Sequence, residues 1–172
     1  MTCTVVALGE PLEPLHDLME RAPIVIGADD LGDDRRRARG LVVGLDLVSE
    51  GSPRKARGRL RREALRWGVE LQRYPAAVHL LILYRLPPEA SAERVVGTAE
   101  RLALRLHAEM ERRARYVDVT LIDVTRCDDG ERLADRLLER ISGSAGGYPA
   151  AALTWSDIRD VSIAAATTAG NC

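Results

Sequence analysis

Val78-His79-Leu80-Leu81-Ile82-Leu83-Tyr84 is a continuous apolar run, stopped by Pro87-Pro88. A run of this length without alternation is the pattern of a central strand covered on both faces. Working outward, Val95, Val96, Ala99, Leu102, Ala103, Leu106 and Met110 form a helical stripe over residues 89–115. Val117, Val119 and Leu121 then alternate with Asp118, Thr120 and Ile122, which reads as a half-covered strand ending near Val124. Asp128 and Glu131 fit a capping box for a helix carried by Leu133, Leu137, Leu138 and Ile141. On the upstream side, Leu60, Ala64, Leu65, Val69 and Leu71 place a helix over residues 54–73. Leu41 to Val48 is a strand in which Gly44 is a weak point or a bulge. Pro23 to Gly27 is a second, short strand, Leu12 to Arg21 a short helix, and Thr4 to Leu8 the first strand. The expected class is therefore α/β (or α+β), a single layered domain of about five strands and four helices.

The 172 residues suffice for one domain and not for two. With 25 basic and 26 acidic residues the net charge is −1, which argues against a surface that is wholly a nucleic-acid or membrane footprint. There is no Phe, so the core is built from Leu, Val, Ile and Ala. No apolar run reaches the length of a membrane span, and Met1-Thr2-Cys3-Thr4 has no basic n-region. The expected address is the cytoplasm.

The first 142 residues offer little chemistry. Cys3, Cys127 and Cys172 are scattered and odd in number, giving neither a disulfide framework nor a metal pair. His16, His79 and His107 lie on three different elements without ligand spacing, and His79 reads as a satisfied interior histidine. Asp29, Asp30, Asp33 and Asp34 lack the Gly and terminal Glu of a calcium loop. No catalytic residue, metal or cofactor is expected. The strongest charge feature is Arg54, Lys55, Arg57, Arg59, Arg61 and Arg62, continuing to Arg66, a candidate docking surface for a partner or a plain solvated helix face. No aromatic residues interleave with it, which counts against nucleic acid.

After Ile141 the composition changes. Residues 143–147 read as a Gly/Ser linker and 148–172 as a flexible tail, with a short helix opening at Thr154 and Asp157 in capping-box position. The tail holds Ser162, Thr167 and Thr168, hydroxyl residues separated by small side chains from Cys172. A terminal cysteine carries a free α-carboxylate beside its thiol. Oxidative decarboxylation would make it an enethiolate, a soft nucleophile, and a dehydrated Thr167 would be the matching electrophile.

The stretch Ser162-Ile163-Ala164-Ala165-Ala166-Thr167-Thr168-Ala169-Gly170-Asn171-Cys172 resembles the core of a thioamitide-type precursor peptide, a ribosomally made and post-translationally modified class. The resemblance implies an aminovinyl-(methyl)cysteine ring between Thr167 and Cys172. It also implies partners acting in trans: a flavin-dependent cysteine decarboxylase, a kinase–lyase pair for dehydration, and a leader protease. Asn171 stands where familiar members carry His, so the ring rather than the thioamide is carried over. On this reading residues 1–142 are a folded leader that recruits the tailoring enzymes, and 162–172 are the core. Two other classes stay open: a small α/β adaptor or chaperone-like binding protein, and an enzyme using strand residues such as Asp46, His79 and Asp118.

Overall fold

The covered run becomes a strand flanked by partners on both sides, and the rest of the fold is arranged about it. The computed structural model describes residues 4–21, 24–26, 35–87, 92–147 and 149–169. In chain order the elements are β1 (Thr4–Gly9), α1 (His16–Arg21), β2 (Ile24–Ile26), β3 (Ala38–Asp46), α2 (Pro53–Glu70), β4 (His79–Arg85) and α3 (Ala92–Arg112). They continue with β5 (Asp118–Asp123), α4 (Gly130–Ser142), β6 (Ala150–Thr154), α5 (Trp155–Ile158) and α6 (Ile163–Ala169). All strand pairs are parallel, in the order β2-β1-β3-β4-β5-β6. This is an α/β sheet of the doubly wound type, with its order reversing between β1 and β3.

Two cores sandwich the sheet. Val43, Ile82, Tyr84 and Leu121 face α2 and α3, joined by Leu60, Ala64, Leu102 and Leu106. Val42, Leu81, Leu83 and Ile122 face α1 and α4, joined by Leu18, Leu133, Leu137 and Ile141. Two glycines set the spacing of these layers. A Cβ on Gly68 of α2 would lie 2.5 Å from Leu106 Cδ2 of α3, so the helices approach through it. A Cβ on Gly44 would lie 2.2 Å from the Glu10 carbonyl, whose own amide donates to Gly44 O at 2.8 Å. Gly44 is neither a weak point nor a bulge but the place where the loop after β1 rests on β3.

Several expectations are corrected. The strand β5 is covered on both faces rather than half covered, with Asp118 and Thr120 each 1% exposed. The cap of α4 is Asp129, which accepts from Arg132 N at 2.9 Å; Asp128 instead accepts from Trp155 Nε1 at 2.8 Å. The largest correction concerns the linker and tail. Residues 143–147 are tied down: Arg39 Nη2 donates to Gly143 O at 2.7 Å and Gly146 N donates to Asp118 Oδ2 at 3.3 Å. Beyond them β6 pairs with β5 from Val119↔Ala150 to Asp123↔Thr154, making six strands, one more than the sequence suggests. Leu153, Trp155, Ile158, Ile163 and Ala166 are buried in the α1/α4 core, so 149–169 belong to the domain and not to a flexible tail. The Thr154 capping box does form, with Asp157 Oδ2 accepting from Thr154 N at 2.7 Å.

The path into β6 is unusual. The steps β3–α2–β4 and β4–α3–β5 move one way along the sheet with their helices on one face, and β1–α1–β2 moves the other way with its helix on the opposite face. These three share one hand. The step β5–α4–β6 keeps the direction of the first two but places its helix on the α1 face, giving the opposite hand, which is rare among parallel crossovers.

Candidate functional site

Four groups of polar residues stand out, and the sequence-derived candidates divide among them. Ligands in open α/β sheets bind outside the carboxyl ends of the strands at the order reversal, which here is the β1/β3 junction. Glu10 follows β1 there, Asp46 ends β3 and Arg85 ends β4. Arg85 Nη2 donates to Asp46 Oδ2 at 2.7 Å, and Asp46 N donates to Glu10 Oε2 at 2.7 Å. Arg59, from α2, bonds Glu10, donates to Glu50 Oε1 at 3.2 Å and donates to the Asp46 carbonyl at 2.9 Å. Burial pushes the Asp46 carboxyl up, but the Arg85 bond, the Val48 amide and the Arg charges outweigh it and hold it below its usual value. Each of these side chains is bound to another. The cluster locks α2 and the β1 loop to the sheet edge, and Arg59 is thereby withdrawn from the docking set.

At the opposite edge His79 begins β4 and Asp118 begins β5, with Arg140 reaching in from α4. Arg140 Nη2 donates to Asp118 Oδ2 at 2.8 Å, and His79 Nδ1 lies 3.7 Å from the same oxygen. His79 is fully buried and its Nε2 is 3.4 Å from Gly143 O. Burial pushes the imidazole below its ordinary value and Arg140 adds to this, outweighing Gly143 and Asp118. The histidine is thus buried as expected but only partly satisfied, because Nδ1 has no hydrogen-bond partner among the described residues. Asp46, His79 and Asp118 do not form one site. Asp46 pairs with Arg85, six residues along β4 from His79, a span of about 20 Å.

The residues expected to be modified lie on or beside α6. Ser162 opens it, its Oγ accepting from Ala165 N at 3.1 Å. Thr167 is 3% exposed and its hydroxyl donates to Ala164 O at 2.8 Å, whereas Thr168 is exposed and donates to the same carbonyl at 3.0 Å. Cys172 lies outside the described residues, as do Asp29, Asp30, Asp33, Asp34 and Cys3. Cys127 packs against the α1/α4 core, and burial raises its thiol.

The basic run on α2 also divides. Arg54, Arg57 and Arg61 line a groove of about 480 Å³, whose far wall is Arg101 and Arg105 of α3 and whose floor includes Gly58, Thr98 and Leu102. Lys55 and Arg62 are exposed outside it. The α2 arginines were legible as a charge run. Arg101 and Arg105 form no charge run, the first following Glu100 and the second lying between Leu104 and Leu106, and only helix pairing brings them opposite α2.

A comparison with known protein families, curated proteins and solved structures finds no match for this chain. Among the described residues no helix is long and apolar enough to cross a membrane.

Proposed function

We propose that the chain is a folded substrate protein whose C-terminal segment, 162–172, is modified by enzymes acting in trans in the cytoplasm. The observation that carries this reading is the seating of α6. Three side chains, Ile163, Ala166 and Thr167, are its buried ones, and its contacts run to α4, α5 and the edge strand β6. Burying one Ile and one Ala is worth about 2–4 kcal/mol, so local release without global unfolding is accessible to roughly one molecule in thirty to one in a thousand. Thr168 is presented to solvent on the seated helix, while Thr167 is reached only on release.

The chemistry follows from the groups present. Phosphorylation of a threonine hydroxyl, with ATP as donor, makes phosphate a leaving group. Removal of the Cα proton then expels it and leaves a dehydrobutyrine. A flavin in the partner enzyme accepts two electrons from Cys172 as its carboxylate leaves as CO2, giving an enethiolate. The sulfur adds to the dehydrobutyrine Cβ, and a proton returns to Cα. The folded body supplies attachment and local concentration rather than catalysis.

The test is co-expression of the full chain with a flavin-dependent cysteine decarboxylase and a kinase–lyase pair, followed by tandem mass spectrometry of residues 160–172. Loss of water at Thr167 or Thr168, with loss of CO2 and two hydrogens at Cys172, is the expected result. Cys172→Ala or one residue appended after Cys172 abolishes the decarboxylation. Thr167→Ala leaves decarboxylation and moves or removes the ring. An unmodified segment in the presence of enzymes active on their own substrates overturns the reading.

A further inference from the structure

Five arginines converge on the outer surface of α2 and α3 without a carboxylate to meet them. Arg54, Arg57 and Arg61 recur at i, i+3 and i+7 along α2, and Arg101 and Arg105 at i and i+4 along α3, so guanidinium groups repeat about every turn, roughly 5.4 Å, on both walls of the groove. None of the lining residues is acidic. Three arginines of the same helices outside the groove are neutralised, Arg59 by Glu10 and Glu50, Arg66 by Glu63 and Arg112 by Glu109, while Arg62 is not, among the described residues. The five in the groove have no ion pair among the described residues. With a net charge of −1 on the whole chain, this local surplus is a patterned feature and not a by-product of a basic composition.

The geometry points to a docking site for an acidic amphipathic helix of a partner protein, laid lengthwise between α2 and α3. A helix carrying Glu or Asp at i, i+3 or i+4, and i+7 presents carboxylates at the same one-turn repeat as the two walls, and each arginine offers a fork that a carboxylate accepts in bidentate fashion. The floor fits such an occupant. Gly58 is open, a Cβ there meeting only the tip of Arg62 at 3.7 Å, and Leu102 and Thr98 give a small, partly apolar bed. No aromatic side chain lines the groove, so it has no surface on which bases would stack. No residue of α6 lines the groove. The proposal holds whether or not the C-terminal segment is modified.

The experiment uses the unmodified full chain and fluorescence anisotropy with four probes: a labelled 18-residue helical peptide with Glu at the stated spacing, a peptide of identical composition with the spacing scrambled, an 18-nucleotide single-stranded DNA, and pyrophosphate as competitor. The periodic peptide binds about tenfold more tightly than the scrambled one, and raising salt from about 50 to about 300 mM weakens it about tenfold. Arg57→Glu with Arg101→Glu lowers affinity by about thirtyfold or more, while Lys55→Glu with Arg112→Glu, equal in charge change but lining no part of the groove, lowers it by about threefold or less. All four positions are on helix surfaces, and circular dichroism with a urea melt verifies each variant's fold. Equal binding of the two peptides, equal loss in the two double variants, or tighter binding of DNA or pyrophosphate than of the periodic peptide overturns the proposal.

Discussion

Replacing Trp155 by Ala separates a C-terminal segment that belongs to the fold from one that merely trails it. Trp155 is 4% exposed and begins α5 directly after the edge strand β6. Its ring packs in the core built by α1 and α4, and its Nε1 reaches Asp128 at 2.8 Å, 27 residues away. Truncating a buried Trp to Ala costs about 3–5 kcal/mol, set by the lost transfer energy and the cavity left behind. Asp128 is exposed and rehydrates, so it adds little. Against a total stability of about 5–15 kcal/mol this is a large fraction. With a urea slope of about 2.5 kcal/mol/M, the midpoint falls by about 1–2 M, read by far-ultraviolet circular dichroism. Val161→Ala, on the same segment but 44% exposed, is the control and shifts stability by less than about 0.5 kcal/mol. A Trp155→Ala midpoint equal to the parent's would return residues 148–172 to the status of a tail.

Gly44→Ala drives a Cβ to within 2.2 Å of the Glu10 carbonyl, with no flexible side chain to give way, and is expected to cost about 3 kcal/mol or more in a urea melt. The unfolded chain binds the His79 proton near pH 6.5 and the folded chain only at lower pH, so stability falls as pH drops below about 6.5. His79→Gln should flatten that decline between about pH 7 and 5, and an unchanged slope in melts at the two pH values would sink the assignment. Asp123 acts in the opposite sense, since burial raises its carboxyl and the folded chain takes up that proton first on acidification. Tyr84→Phe removes a buried hydroxyl with no hydrogen-bond partner among the described residues, so stability should hold or rise by about 1 kcal/mol; a loss above about 2 kcal/mol would reveal a partner for the phenol.

What the sequence made legible follows from where the apolar signal is dense. β4 is visible because a short uninterrupted apolar run stopped by Pro87-Pro88 has the length of a buried strand, and α3 because a full stripe fits only the helical period. β6 is invisible for the converse reason. Ala150-Ala151-Ala152-Leu153-Thr154 has one large apolar residue, poor strand propensity, and two glycines just before it. It becomes a strand because the edge of β5 and the flank of α3 are there to receive it. Asp118 misled in a related way: an alternating acid signals a wet face, yet Arg140 and the Gly146 amide neutralise it in the interior. Capping-box spacing favours Asp128, with Glu131 three residues on, yet Trp155, remote in the chain, engages Asp128 and Asp129 caps the helix. The same holds for the candidate sites. Charge density identified Arg54, Arg57 and Arg61, but their separation from Arg59 needed the strand ends that Arg59 binds.

The opposite hand of the last crossover ties these points together. After β5, the face of α2 and α3 is filled, while the other face has only α1 to cover Val42, Leu81, Leu83 and Ile122. Helix α4 is needed there, and it packs on α1 across the sheet, with Ile141 filling the space over Gly40. The chain then emerges at the amino end of the sheet on the wrong side for an ordinary crossover and must pass around Asp118, through glycines at φ +105° and +123°, to add β6 at the outer edge. Small side chains suit that position, because α3 already lies close over it and a bulky strand residue would meet the helix. The price of covering the second face is thus a final strand and helix built from Ala and Thr. That thin construction is why the release of α6 proposed above would cost the sheet little buried apolar area.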